Sequence, residues 1–216
     1  MHAPAPQPTY RLIPSRFPPI GLFDTVSTAA DLEAVMELAG WTNDRLVKER
    51  VARLPQSEWV YGRSNASIVM AAFLHAAPGG GRFNGPELGA WYASAAVPTA
   101  IAEVGHHLRR EALARGHEGM SRVFRSYSSR LDGSYVDIRN VEPSLHAPDD
   151  YTPGQAFGEK LRADGEDGLL YSSVRHRAGQ NACAFRPSKV LDVVQAYHFR
   201  VDVTVADKRI EATRLS

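Results

Sequence analysis

The 216-residue chain carries 25 Lys and Arg against 24 Asp and Glu, with 44% apolar and 23% charged residues. That composition describes a folded soluble protein with a real hydrophobic core, and the cancelling charges exclude the overall basic character of a nucleic-acid or anionic-membrane binder. Cys183 stands alone, which rules out an intrachain disulfide, leaves any metal site without the usual thiolates and fits a reducing cytoplasm.

Residues 1–9, with three prolines in Met1 to Pro8, lack the basic start and apolar centre of a secretory signal. They are expected as a flexible tail before a single domain over 10–216. Tyr10 to Ile13 predicts a short strand closed by Pro14, and the prolines of Ser15 to Ile20 disfavour a helix. Thr28 is suited to cap a helix from Ala29 to Ala39, with Leu32, Val35 and Met36 on one face and Gly40 as its stop. A second helix is expected after Thr42 or Asn43, with Leu46, Val47, Val51 and Leu54 inward, and a third from Ala66 to His75. The block 28–76 therefore reads as a helical insertion after the first strand. The longest apolar run, Ile68 to Ala77, is broken by His75 and too short to span a bilayer.

Beyond Arg82 the texture changes. Ala90 to Ala93 is strand-like. Pro98 suits the first turn of a helix from Thr99 to Arg115, stopped by Gly116, with Ile101, Val104, Leu108 and Ala112 as its buried stripe. Strands are expected at Ser121 to Tyr127, Tyr135 to Ile138, Leu169 to Val174, Ala182 to Phe185 and Val190 to Val205, with a short helix near Gln155 to Arg162. The fold class is α+β, a mostly antiparallel sheet with packed helices.

Candidate chemistry concentrates in 79–104. Gly79-Gly80-Gly81 frees the backbone before Arg82, whose guanidinium suits a phosphate or carboxylate. The spacing matches neither a P-loop nor the dinucleotide fingerprint, so an ordinary surface loop competes with a binding loop. Tyr92, at a strand end, is suited to stack on a ring or orient a sugar, or simply to fill the core. Glu103 lies nearly opposite Ile101 on its helix and shares a face with His107 and Arg110. That is either a solvated stripe or a carboxylate facing a ligand. Tyr171 to His176 ends a strand with Ser172, Ser173 and Arg175, which suit an amide, a phosphate or a turn. Adjacent His106 and His107 point to different faces, so no metal is expected. No Gly-x-Ser-x-Gly elbow supports a hydrolase triad.

In order, Arg82, Tyr92, Glu103 and Ser173 resemble the motifs of the RES-domain family, the toxin half of RES–Xre toxin–antitoxin pairs. Tyr10 to Ile20, Gly80 to Asn84, Thr99 to Val104, Gly168 to His176 and Phe185-Arg186-Pro187 carry the same resemblance, and the long helical block is similar to the ParT-like branch. The resemblance implies an ADP-ribosyltransferase-like split sheet gripping NAD as substrate, without metal. Arg82 would bind its phosphates or ribose, with Asn84 and Arg175 as further binding residues. Tyr92 would stack on or orient the nicotinamide end, Glu103 would be the catalytic carboxylate, and Ser173 would contact the nicotinamide-side ribose or amide. Ser172 competes for the place of the family serine. The implied reaction is mono-ADP-ribosylation of a protein, phosphoribosyl pyrophosphate synthetase being the implied acceptor. NAD glycohydrolase or phosphorylase activity is the alternative, and a non-catalytic binding module is the rival of another class. The resemblance further implies a cognate Xre- or ParS-like antitoxin and a cytoplasmic location, with no direct nucleic-acid or membrane contact.

Overall fold

A computed structural model describes residues 1–16, 21–42, 52–139 and 141–215. Among these, nine strands lie in one sheet: β1 (His2–Ala3), β2 (Thr9–Pro14), β3 (Trp91–Ser94), β4 (Gly119–Leu131), β5 (Tyr135–Asp137), β6 (Gly168–Ser172), β7 (Gln180–Ala184), β8 (Val190–Thr204) and β9 (Ile210–Leu215). Their order is β1-β5-β6-β7-β3-β2-β4-β8-β9, and every pairing is antiparallel except β5 with β6. The α+β class and the mostly antiparallel sheet are as expected.

The sheet is nearly split in two. β2 pairs β4 along six residues, and β3 pairs β7 along four, yet β2 meets β3 at one pair only, Tyr10 with Ser94. Alternation along the strands then sorts side chains to two faces. Trp91, Ala93, Leu170, Ala182 and Ala184 join one cluster with α1 (Ala29–Thr42) and α2 (Ala66–Leu74). Tyr92, Leu169, Tyr171 and Cys183 point the other way, into a cluster with Leu161 of α4 (Thr152–Ala163). On that same side, beyond the split, Leu12, Phe124, Val201 and Val203 pack under Ala100 and Leu108 of α3 (Val97–Ala114). Register shifts between β4 and β8 near Arg125–Tyr127 let the outer part of β8 change the face it buries.

Several boundaries differ from the sequence expectation. The amino-terminal residues are tied down: His2 and Ala3 pair with β5, and Ala5 is buried. Thr28 Oγ1 accepts the Asp31 backbone N–H (3.1 Å) and donates to the Asp31 carboxylate (2.8 Å), capping α1 as expected. The helix passes through Gly40 to Thr42, because glycine costs a helix interior only about 1 kcal/mol. Leu32 and Leu54 are buried as expected. The side chain of Met36, the second-helix residues Leu46, Val47 and Val51, and Phe17 to Ile20 of the opening motif lie outside the described residues. Pro98 occupies the first turn of α3, and Gly116, at φ +69°, follows its end.

Candidate active site

A cavity of about 340 Å³ opens at the sheet split, between the glycine loop, β2, β3 and α3. Arg82, Asn84, Tyr92 and Glu103 all line it. That volume lies at the lower end of the range for small-molecule sites.

The loop owes its shape to its glycines. Gly80, at φ +72°, donates to the Ala77 carbonyl (2.8 Å), and Gly81 donates to the Asn84 carbonyl (2.9 Å), closing a tight reversal. A Cβ on Gly81 would collide with the Asn84 side chain and lie 2.7 Å from the Tyr92 hydroxyl. From beneath, Gln155 of α4 donates to the Gly79 and Gly81 carbonyls at 2.8 and 3.0 Å. Gly154 and Gly158 let the same helix press against the Arg82 and Phe83 carbonyls. The loop sits on a helix face opened by two glycines and is held there by the Gln155 side chain.

Arg82 is thereby held as a buried cation. One N–H of its guanidinium donates to the Ala147 carbonyl (2.6 Å), and the group lies 4.6 Å from the Tyr151 ring centre. Asn84 is buried and bonded to the Gly85 and Leu88 carbonyls. The Tyr92 hydroxyl donates to Asn84 Oδ1 and accepts the Phe83 N–H, both at 2.8 Å. Its ring lines the cavity, while its oxygen is engaged by the loop rather than left open to a sugar. Burial raises the Tyr92 pKa well above the usual phenol value.

Glu103, on α3, is no solvated stripe residue. Its Oε1 accepts two hydrogen bonds at 2.7 Å, from the Ser173 hydroxyl and from Asn181 Nδ2. Oε2 accepts none among the described residues, so one oxygen is anchored and the other is open to a ligand. The donors are themselves fixed: Ser94 Oγ donates to Asn181 Oδ1 (2.7 Å), and Ser173 Oγ accepts the backbone N–H groups of Arg175 (3.1 Å) and His176 (3.0 Å). Ser172 instead donates to the Arg139 carbonyl (2.5 Å), so the serine in contact with Glu103 is Ser173. Ser173 and Arg175 stand outside the cavity lining. The Arg175 guanidinium bonds the Pro148 carbonyl and sits 3.8 Å from Asp149. His107 lines the cavity near its rim.

Sequence reasoning missed Asn181 and Arg11. Asn181 is a buried polar residue directly before the small, buried run Ala182–Ala184 of β7, the one cue in the sequence that its amide has a specific partner. Arg11 lines the cavity from β2. Cys183 is fully buried, and burial pushes its thiol up to about 12, so it holds its proton and is no nucleophile.

The RES-domain family model matches residues 50–204, well over half of the chain. The chain belongs to the RES-domain family. The matched span contains the glycine loop, Glu103, Ser173 and Asn181, and it excludes β2. Among similar proteins, the uncharacterized protein y4oC of Sinorhizobium fredii is 25% identical over 193 residues, 88% of this chain and 80% of that one. A solved structure, the M. tuberculosis MbcT–MbcA toxin–antitoxin complex, is similar at 16% identity and a TM-score of 0.45, covering 90% of this chain and 86% of that one.

Proposed function

We propose that this RES-domain protein is an NAD-consuming toxin that breaks the nicotinamide–ribose bond and transfers ADP-ribose to a protein acceptor. The observation that carries the reading is the Glu103 carboxylate, with Oε1 locked by Ser173 and Asn181 and Oε2 open, in a cavity that also presents arginines. A preorganised carboxylate is the group that stabilises positive charge at a sugar carbon.

As the C1′–N bond lengthens, its electron pair stays with the departing nicotinamide, which leaves neutral. The ribose carbon becomes oxocarbenium-like, and Glu103 stabilises it. Donors fixed before substrate arrives keep the carboxylate from having to reorganise during that step. The acceptor oxygen or nitrogen then bonds to C1′ and loses its proton. Arg82 would hold the diphosphate as a charge-assisted, bidentate partner. Following the family resemblance, phosphoribosyl pyrophosphate synthetase is the proposed acceptor, and a Xre- or ParS-like antitoxin is the proposed partner that restrains the activity. The proposed location is the cytoplasm.

The test is incubation with NAD labelled in its adenylate half, with cell lysate and with purified phosphoribosyl pyrophosphate synthetase. Label on a protein band supports transfer. Label only in free ADP-ribose or ADP-ribose phosphate replaces transfer with glycohydrolase or phosphorylase activity. If no nicotinamide is released by the parent, or if Glu103→Gln releases it as fast, the enzymatic reading fails and a binding module takes its place. For Glu103→Gln the expected loss is about 100-fold or more.

A further inference from the structure

His176 closely follows the serine that bonds Glu103, and the reaction proposed above does not use its side chain. Its Nδ1 shares a 2.9 Å hydrogen bond with the hydroxyl of Thr99, a buried residue in the first turn of α3. Thr99 precedes Glu103 by four positions, so the two side chains leave the helix on one face, a turn apart. Both hold the same short turn, residues 173–179: Glu103 holds Ser173, and Thr99 holds His176.

The turn is tightly closed on itself. The Ser173 N–H donates to the Gly179 carbonyl (2.8 Å), and the Gly179 N–H donates to the His176 carbonyl (2.9 Å). Ala178 sits at φ +60°, a conformation that a residue with a Cβ keeps only where its surroundings fix it. Gly179 lies so near the helix that an added Cβ would stand 2.8 Å from Thr99 Cγ2. The turn is therefore a unit seated on α3 at two points. Neither Thr99 nor His176 lines the cavity, so both act from behind it. Packing alone does not call for threonine here. Valine would fill the same space without a hydroxyl that burial obliges to find a partner.

From this we infer that Thr99 and His176 are positioning residues: their bond sets where the turn lies along α3 and so keeps Ser173 Oγ at Glu103 Oε1. The inference rests on the NAD reading and deepens it, by naming what aligns the anchor of the catalytic carboxylate. Without the second point the turn pivots about Ser173, and a donor that should be fixed before substrate arrives is fixed no longer.

The measurement is nicotinamide release from NAD by the full chain, with kcat and KM read separately. His176→Asn puts an amide atom where Nδ1 stands, whereas His176→Gln reaches to the place of Nε2. His176→Gln and Thr99→Val are each expected to lower kcat roughly 3- to 10-fold and to leave KM unchanged. His176→Asn and Thr99→Ser keep the bond and are expected to recover most of the rate. The double variant, Thr99→Val with His176→Gln, should be no slower than the slower single one, because one bond is lost only once. Thermal melts check that each variant is folded at the assay temperature. Should a His176 variant not fold, Thr99→Val against Thr99→Ser carries the test. Folded variants as fast as the parent, or losses that multiply in the double variant, would overturn the role of the pair while leaving the NAD reading intact. A change in KM alone would do the same, since it would put the turn in contact with substrate. A parent that releases no nicotinamide would overturn both.

Discussion

Adjacent serines at the end of β6 have opposite fates because a strand turns successive side chains to opposite faces. Ser173 reaches Glu103, and Ser172 reaches the Arg139 carbonyl. Ser173→Ala removes a hydrogen bond to a charged oxygen and unlocks the carboxylate, so nicotinamide release should fall about 10- to 100-fold with little change in the substrate concentration needed. Ser172→Ala should cost about 1 kcal/mol of stability and leave the rate within about twofold. Asn181→Ala belongs with Ser173: it deprives Oε1 of its other donor and orphans the Ser94 hydroxyl, and a similar drop in rate is expected. Steady-state rates paired with urea titrations separate the two classes. If the Ser172 and Ser173 variants lose rate equally, the carboxylate is not positioned as described. The sequence made Glu103, Ser173 and Arg82 legible as residue types in order, but the second donor was out of reach. Asn181 lies 78 positions from Glu103, and only the β3–β7 pairing brings Ser94 opposite it.

At the scale of elements, the amphipathic α3 and the strands with aromatic or β-branched runs were readable because their apolar period is local. β1 and β9 were not. β9 is an edge strand whose residues Glu211 to Arg214 are exposed, so its pairing comes from the open edge of β8 rather than from any hydrophobic pattern of its own. α4 shows the converse, a helix recognised in the sequence whose purpose only contact reveals. Gly154 and Gly158 leave a bare track on which the Arg82–Phe83 backbone rests. A methyl group on Gly158 would collide with the Phe83 carbonyl, and backbone cannot move aside as a flexible side chain does. Gly158→Ala is therefore expected to cost about 1–3 kcal/mol, lowering the melting temperature by roughly 3–10 °C. It should also weaken ADP binding by displacing Arg82. Gly85→Ala is the control: the nearest atom to its added carbon is 3.8 Å away, an ordinary contact, and the melt should shift little. A shift in the control as large as that of Gly158→Ala would mean that the small-residue track is not what seats the loop.

For the molecule as a whole, the split sheet trades backbone pairing for a cavity, and α3 spans the gap with Glu103 lining the cavity and His106 facing the interior. His106 is 5% exposed, and neither ring nitrogen has a hydrogen-bond partner among the described residues. Burial first, then the positive charges of Arg175, His107, Arg109 and Arg110, push its pKa down to about 4. Above about pH 6.5 the ring is neutral in both folded and unfolded chains and adds no pH dependence. As pH falls below that value, the unfolded chain takes up a proton that the folded chain refuses until near pH 4. Stability therefore drops across this window, by about 3 kcal/mol at most. Carboxylates titrate toward its lower end too, so the informative quantity is the difference between variant and parent. His106→Leu keeps an apolar side chain of similar reach and removes the titration. Measured by urea unfolding at pH 7, 6, 5 and 4.5, the variant should gain on the parent steadily as pH falls, by about 2 kcal/mol at the lowest pH. A gap that stays constant would mean that His106 takes up its proton equally in both states, and that the acid sensitivity of the helix bearing Glu103 arises elsewhere.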